Sequence, residues 1–214
     1  MRPRKKKNLD KRMDSCSEIN ITEPEQMKGH WRNGDRPLHV EIGCGKGAFV
    51  SGMAEKHPEI DFVAIEMVAD VMVMAMEKAM DKGLTNIRFI SVNAQKLLEI
   101  FEPGEVDRVY INFSDPWPRN KQHKRRLSYP TFLKMYQEIM GGHGEVHQKT
   151  DNHDLFMDSL EYYKESGWTL NHLTYDLHNP DENEEGFEPD TVVTEYETRF
   201  MNLGQPIYRV EATI

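Results

Sequence analysis

The sequence has few of the features that place a protein in a membrane or outside the cell. Only two of its 214 residues are cysteines, Cys16 and Cys44, and they form neither a metal-ligand spacing nor a disulfide framework, which indicates a reducing cytoplasm. No run of about 18 apolar residues is present, so we expect no membrane span. The basic N-terminus is not followed by an apolar segment, so we do not expect a secretory signal.

An excess of positive charge is also missing. The formal net charge is −9, which argues against a general nucleic-acid binder. The cations are local, because they crowd residues 2–12 and 119–126, whereas residues 176–197 contain nine acids and no Lys or Arg. This distribution predicts RNA contact at restricted places, although residues 2–7 are equally explained as a solubilising tail.

Apolar runs typical of strands alternate with segments of helical periodicity. The predicted strands are 38–42, 61–66, 86–92, 106–113, 145–149, 169–177 and 207–212, and the predicted helices are 48–56, 67–82, 94–100, 128–140 and 155–166. This order predicts a doubly wound, mostly parallel α/β sheet. The last two strands lack a long helix between them, which indicates an antiparallel strand at the sheet edge. We expect a basic N-terminal arm and lead-in (1–36) followed by one domain (37–214).

The fourth predicted strand runs directly into an acid, two prolines and a tryptophan. Proline ends a strand, and ligands of open α/β sheets bind beyond the carboxyl ends of the strands, so Asp115 and Trp117 should border a ligand crevice. A basic segment follows at 119–126. An acid and an aromatic beside cations predict a site that reads a base while the cations hold its phosphates. The alternative is a turn followed by a solvated charged segment.

A glycine-rich loop follows the first predicted strand. Its G-x-G-x-G spacing, with Gly43 and Gly45, departs from the dinucleotide fingerprint, and the carboxylate of Glu41 would repel a pyrophosphate but suit a cationic amino acid. Glu66 ends the second strand, where carboxylates accept hydrogen bonds from ribose hydroxyls, and Asn93 follows the third, where an amide can bond an adenine edge. Together they predict S-adenosyl-L-methionine as cofactor. Individually, Glu41 could be an ion-pair partner and Asn93 a helix start.

Five segments together resemble the bacterial tRNA (guanine-N7-)-methyltransferase family: VEIGCGKG (40–47), DPWP (115–118), KRRL (124–127), KTDN (149–152) and TEYETRF (194–200). The resemblance extends from residue 38 to the end. The glycine loop is generic to methyltransferases, whereas the second, third and fifth segments in combination are specific to this family. The resemblance implies a Rossmann-like class I methyltransferase fold, with a mostly parallel seven-stranded sheet, an antiparallel edge strand and helices on both faces.

The resemblance also implies roles for individual residues. The cofactor would be contacted by Glu41, Gly43, Gly45, Glu66, Asn93 and Asp115. The target nucleotide would be contacted by Arg119, Asp151, Thr194, Glu195, Tyr196 and Glu197. The tRNA would be contacted by Lys121, Gln122, His123, Lys124, Arg125 and Arg126. The sequence departs from the family at Arg119, where Lys is usual, at Gln122-His123, where His comes earlier, and at Gln148, where an aromatic is usual.

The chemistry of guanine N7 limits what the site must supply. The N7 lone pair of neutral guanine attacks a sulfonium methyl without prior deprotonation, so alignment and exclusion of water matter more than a base. Asp115 and Asp151 would accept the N1 and N2 hydrogens of guanine, which adenine lacks. Asp115 would also stabilise the cationic product and is the predicted catalytic residue. Alternatively, Asp151 could cap a helix, and residues 194–197 could be a charged helical turn.

The implied partner is tRNA, with the variable loop as target, in a monomer or homodimer without metal or membrane. His123, His147 and His153 match no metal-ligand spacing. Three rival functions are an exocyclic-amine (N6-adenine type) methyltransferase, a non-catalytic RNA-binding protein with a relic cofactor fold, and a nicotinamide-dependent oxidoreductase. The basic segment after Pro118 disfavours the exocyclic-amine methyltransferase, and a retained cofactor loop disfavours the relic RNA-binding protein. The glycine spacing and Glu41 disfavour the oxidoreductase.

Overall fold

Seven strands form one sheet in the computed structural model, which describes residues 8–179 and 192–214. The strands are β1 (Leu38–Ile42), β2 (Asp61–Ile65), β3 (Ile87–Ile90), β4 (Arg108–Asn112), β5 (Glu145–Thr150), β6 (Thr169–Thr174) and β7 (Tyr208–Thr213). Their order is β3-β2-β1-β4-β5-β7-β6. Strands β1 to β5 pair in parallel, and β7 lies between β5 and β6, antiparallel to both. The expected mostly parallel sheet with antiparallel pairing at one edge is confirmed.

The helices connect these strands. They are α1 (Leu9–Ser15), α2 (Ala48–Lys56), α3 (Ala69–Asp81), α4 (Leu97–Ile100), α5 (Pro130–Ile139), α6 (His153–Glu165) and α7 (Glu195–Asn202). Short 3-10 helices cover Pro24–Met27, Ala94–Lys96 and Asn120–Arg125. The helix predicted at 94–100 is therefore a 3-10 turn that continues into α4. No helix in the part of the chain that the structure describes is long and apolar enough to cross a membrane.

Two hydrophobic cores lie on opposite faces of the sheet because successive strand side chains alternate in direction. On one face, Val109 and Ile111 of β4 pack with Tyr136 of α5 and Phe156 of α6. On the other face, strand residues Phe62 and Ala64 pack with α2 and with the methionine-rich helix α3, whose Met72 and Met76 are fully buried. Helices thus cover both faces, and the methionines of α3 are core residues.

The lead-in before β1 packs onto this domain. Leu9, Cys16 and Ile19 are buried against the core that contains α3. Trp31 is buried on the opposite face, where its indole N–H donates to the carbonyl of Ile100 at 2.9 Å. The domain boundary at residue 37 stays a prediction, and the cations of the arm at residues 2–7 lie outside the described residues, as do most of the acids of the segment 176–197.

Two strand features depart from the expectation. The strand predicted at 169–177 ends at Thr174. Within it, the pairing of β6 with β7 shifts register between Asn171 and Thr174, where His172 has a φ of 44°. Gln148 of β5 is buried: its amide donates to Ser159 Oγ at 3.1 Å and its carbonyl accepts from the Tyr163 hydroxyl at 2.9 Å. These bonds join β5 to α6 and explain how the core accommodates a polar residue there.

Candidate active site

A cavity of about 1140 Å³ opens at the carboxyl ends of strands β1 to β4. Its lining includes Glu41 of β1, Glu66 after β2, Asn93 after β3 and Asp115 after β4. Parallel strands end at the same edge of a sheet, so residues that are 20 to 30 positions apart in sequence meet there. The structure therefore brings together the four polar side chains that the sequence predicted for the cofactor.

The glycine loop forms one wall of this cavity. A Cβ added to Gly47, whose φ is 72°, would lie 2.6 Å from the Cβ of Ala75, so this glycine lets the loop pack against α3. Gly43 and Gly45 also line the cavity and have positive φ, but a Cβ added at either would meet nothing within 4 Å. They therefore leave open space beside their backbone, as the close approach of a ligand requires.

Glu66 and Asn93 are both held by hydrogen bonds to the backbone. The Glu66 carboxylate accepts from the N–H groups of Gly45 at 3.1 Å and Val68 at 2.9 Å. The Asn93 side-chain oxygen accepts from the N–H of Gln95 at 2.9 Å, so Asn93 does cap the following 3-10 turn. That cap leaves the amide N–H groups of Asn93 available on the cavity wall, so capping and cofactor contact are compatible.

Glu41 lies deeper and is 2% exposed. Its Oε1 accepts from the side-chain amide of Asn112 at 2.9 Å, whereas Glu41 Oε2 and Asn112 Oδ1 have no partner among the described residues. Burial raises the pKa of Glu41 to about 7, and the Asn112 hydrogen bond opposes this rise. Buried acceptors without donors are costly. A cationic group in the cavity would satisfy both, which fits the ammonium-bearing end of S-adenosylmethionine.

The loop from the end of β4 through the DPWP segment (115–118) contains two residues in the left-handed region. Phe113 has a φ of 50° and Trp117 a φ of 41°, which is strained for aromatic side chains and typical of functional loops. This loop places an exposed Asp115 on the wall between the large cavity and a neighbouring one of about 220 Å³. Asp115 lines both cavities, and no described residue donates a hydrogen bond to its carboxylate.

The small cavity brings a second predicted carboxylate beside Asp115. It is also lined by Asp151, Tyr196 and Phe113. The alternative that Asp151 caps a helix is wrong, because Asn152 is the N-cap of α6 and accepts from the N–H of Leu155 at 2.8 Å. The carboxylate of Asp151 is thus exposed and, within residues 8–179 and 192–214, unbonded.

Helix α7 closes the site from the other side. Thr194 and Glu197 form a capping box: Thr194 Oγ1 accepts from the Glu197 N–H at 2.9 Å, and the Glu197 carboxylate accepts from the Thr194 N–H at 3.2 Å. Glu197 is fully buried, where it also bonds Lys149 Nζ at 3.1 Å and His178 Nε2 at 3.0 Å. Residues 194–197 therefore form the charged helical turn that was the alternative expectation. The buried residues of this turn, Thr194 and Glu197, hold α7 in place.

The exposed members of this turn line the cavities. Glu195 lines the large cavity and pairs with Lys46 at 3.2 Å and Lys78 at 3.5 Å, which ties α7 to the glycine loop and α3. Tyr196 lines both cavities, and its ring stacks on Phe113 with a centroid distance of 6.2 Å. Of the four predicted substrate residues at 194–197, three therefore line the site: Thr194, Glu195 and Tyr196.

The basic segment forms the 3-10 helix Asn120–Arg125 beside the DPWP loop. Its exposed cations are Arg119, Lys121, Lys124 and Arg125, while Gln122 and His123 are half-buried. The guanidinium of Arg125 lies 4.9 Å from the centre of the Trp117 ring, and both residues line the large cavity. Of the exposed cations of this segment, Arg125 lines the large cavity, whereas Arg119, Lys121 and Lys124 line neither cavity.

Arg126 requires a correction. It was expected to contact tRNA, but it is only 2% exposed and donates to the Pro116 carbonyl at 2.7 Å and to Asp158 at 2.5 Å. A guanidinium in this position fixes the DPWP loop to α6 and offers no surface for RNA. Asn112 and Lys149 were not predicted as site residues. Asn112 follows the apolar residues of β4, but Lys149 lies in the largely polar strand β5, where its charge gives no distinct signal.

One cluster away from the site has metal-ligand residue types. Glu145, His147 and Glu211 have ligand atoms within 4.8 Å of one another. Both carboxylates are already paired with arginines, Glu145 with Arg108 and Glu211 with Arg209, and His147 bonds Glu145 at 2.8 Å. The cluster is thus a charge-compensated network, and the expected absence of a metal stays a prediction.

Solved structures share this fold. A 16S rRNA methyltransferase, KamB, superposes with a TM-score of 0.61 at 16% identity, covering 89% of this chain and 91% of that one. An antibiotic-related methyltransferase has a TM-score of 0.61 at 15% identity over 88% of this chain and 92% of its own. At these identities the similarity extends to the fold only, which is that of class I methyltransferases.

Sequence comparison is more specific. A family model described as a putative methyltransferase matches residues 35–210. The tRNA (guanine-N(7)-)-methyltransferase of Bacillus subtilis (strain 168) is 45% identical over 214 residues, covering 99% of this chain and 98% of the relative. The enzyme of the same name from Streptococcus agalactiae serotype III is 43% identical and covers 99% of both chains. The chain therefore belongs to the tRNA (guanine-N7-)-methyltransferase family.

Proposed function

We propose that this protein transfers a methyl group from S-adenosyl-L-methionine to N7 of a guanosine in the variable loop of tRNA. The observation that carries the proposal is the placement of Asp115, which lines both the large cavity with Glu41, Glu66 and Asn93 and the small cavity with Asp151. One carboxylate thus lies where a cofactor site and a base site adjoin.

The large cavity supports the cofactor assignment. Glu41, with its unpartnered Oε2, would hold the ammonium group, Glu66 the ribose hydroxyls and Asn93 the adenine edge, while Gly43 and Gly45 leave room for close backbone approach. When bound, S-adenosylmethionine supplies the electrophilic methyl carbon. The protein supplies a cavity whose walls fix the orientation of both reactants.

The small cavity supports guanine as the acceptor. Asp115 and Asp151 have no donors among the described residues, so both carboxylates are free to accept the N1 and N2 hydrogens of guanine. Adenine has no matching hydrogens and would leave these carboxylates unpaired, which costs binding energy. As N7 becomes bonded to the methyl carbon, the base becomes cationic, and the negative charge of Asp115 stabilises that charge.

The basic segment supports an RNA substrate. Exposed Arg119, Lys121, Lys124 and Arg125 lie next to the DPWP loop, where they would neutralise phosphates on either side of the target. We place the protein in the cytoplasm as a monomer or homodimer, with tRNA as its partner. The free, buried thiols of Cys16 and Cys44 agree with a reducing compartment.

Methyl transfer to unmodified bulk tRNA, followed by mass analysis of the nucleosides, tests this proposal. We expect 7-methylguanosine from the wild type and a decrease of at least about 100-fold for Asp115→Asn, with an unchanged circular dichroism spectrum. Asp154→Asn, which alters a 93% exposed acid at the start of α6, is the matched control and should retain full activity. A methylated exocyclic amine would favour the N6-adenine type of enzyme, and tRNA binding without transfer would favour the relic RNA-binding protein.

A further inference from the structure

Two arginines from separate elements line the large cavity together with Asp115: Arg125 from the basic segment and Arg199 from α7. We propose that Arg199 of α7 binds the phosphate of the target nucleotide. This inference rests on the proposed function, because it concerns the nucleotide that carries the reacting base. It gives that nucleotide a second cation, which lies outside residues 119–126.

The guanidinium of Arg199 is free to take a ligand. Arg199 is exposed and forms no ion pair with a carboxylate among the described residues, and its guanidinium carbon lies 6.0 Å from the centre of the Phe200 ring. The lysines around α7 differ in this respect. Lys46 and Lys78 pair with Glu195, and Lys149 pairs with Glu197. Within the described chain, Arg199 is therefore the cation on this wall of the cavity that retains its full hydrogen-bonding capacity.

Helix α7 places Arg199 next to a residue that lines both cavities. Arg199 is three residues, about one helical turn, after Tyr196, so the two side chains share a helix face. Tyr196 and Asp115 line both cavities, whereas Arg199 lines only the large one. A guanine held by both Asp115 and Asp151 would occupy the small cavity, and its ribose and phosphate would extend toward the residues that the two cavities share, which include Tyr196 of α7.

The unpaired acidic charge in the large cavity favours a cation at the place where a phosphate enters. Glu195 is compensated by Lys46 and Lys78, but Asp115 has no ion-pair partner among the described residues and would repel an entering phosphate. The planar guanidinium of Arg199 offers paired donors that match two phosphate oxygens. Arg125 faces the same cavity with its guanidinium against the ring of Trp117. The two arginines, which come from separate elements, would hold the phosphates while the acids contact base and cofactor.

An anionic oxygen at Arg199 could instead belong to the carboxylate of the cofactor, and the experiment separates these two sources. It measures the Kd of tRNA as a function of salt, the KM for tRNA and the Kd of S-adenosylmethionine for the wild type, Arg199→Gln and Arg199→Lys. Lys134→Gln, which alters an exposed lysine of α5 that lines neither cavity, is the matched control.

We expect Arg199→Gln to raise the Kd and KM for tRNA on the order of tenfold, to reduce the slope of log K against log salt by about 0.7–0.9, and to leave cofactor affinity unchanged. Arg199→Lys should restore the slope but only part of the affinity, because an ammonium lacks the paired donors. An unchanged tRNA slope, or a loss confined to cofactor binding, would overturn the inference. Failure of the wild type to methylate tRNA would refute the proposed function instead, and the tRNA Kd values would still decide the role of Arg199.

Discussion

Replacing Lys149 with methionine removes the cation from the buried ion pair that holds α7. Lys149 Nζ and Glu197 Oε2 lie 3.1 Å apart, and the two side chains are 4% and 0% exposed. Methionine keeps an unbranched apolar stem of similar length, so the substitution tests the charge more than the packing. Glu197 is left with the Thr194 N–H at 3.2 Å and His178 at 3.0 Å as its partners.

The size of the effect follows from what remains around Glu197. Removing one member of a buried ion pair costs about 3–5 kcal/mol, because the other charge stays buried without its counterion. The two remaining donors place the expected loss at the lower end, about 3 kcal/mol. For a protein of this size, that loss corresponds to a decrease in Tm of about 6–12 °C. Because α7 carries Thr194, Glu195 and Tyr196 to the cavity, methyl transfer should fall as well.

Denaturant unfolding of four proteins tests this reasoning: the wild type, Lys149→Met, Glu197→Gln and the double variant. The double variant should be less destabilised than the sum of the single variants by at least about 1 kcal/mol, because the second substitution removes the unpaired charge. Lys164→Met is the matched control, since Lys164 and Glu161 form an ion pair that is 58% and 65% exposed, and it should cost less than about 1 kcal/mol. A loss below about 1 kcal/mol in Lys149→Met, or additive losses in the double variant, would refute the account of how α7 is held.

Two further predictions follow from single buried groups. The pKa of Glu41 is raised to about 7, so between pH 4.5 and 7 the folded protein holds a proton that the unfolded chain releases. The stability that this proton contributes is fully present below pH 4.5 and is lost as the pH rises through 7. The effect of Glu41→Gln on the free energy of unfolding of the cofactor-free protein should therefore be more favourable at pH 8 than at pH 4 by about 3 kcal/mol. Calorimetric titrations should show that the cofactor affinity of the wild type falls below pH 7, whereas that of the variant does not. A wild-type affinity that does not depend on pH would contradict this prediction. Arg126→Met should lower the free energy of unfolding in denaturant by about 2 kcal/mol and lower kcat/KM, because Arg126 bonds Pro116 and Asp158. The salt dependence of tRNA binding should not change. A shallower dependence on salt would show that Arg126 contacts RNA.

The residues at the strand ends were predictable because they depend on local order along the chain. Each of Glu41, Glu66, Asn93 and Asp115 ends or follows one parallel strand, and parallel strands carry such residues to one edge of the sheet. The same logic gave the two helical layers, since hydrophobic periodicity marks which side of each helix is buried. Their roles in binding were inferred from residue type, and those roles stay predictions.

Features that join distant segments were not predictable. The Lys149–Glu197 pair spans 48 residues and exists only because α7 packs beside the end of β5. Arg126 was grouped with the basic segment because its neighbours are cations, but the 3-10 helix ends at Arg125 and turns the next side chain inward to Asp158. Composition describes a run of charges, whereas tertiary packing decides which members of the run are exposed.

Methyl transfer to a tRNA transcript in which 7-deazaguanosine replaces guanosine tests the central claim most directly. The substitution exchanges N7 for a carbon and keeps the N1, N2 and O6 groups that Asp115 and Asp151 would read. We predict that the transcript containing guanosine is methylated and that the 7-deaza transcript binds with similar affinity but accepts no methyl group. Equal methylation of both transcripts would show that the methyl group goes to another atom and would contradict the account.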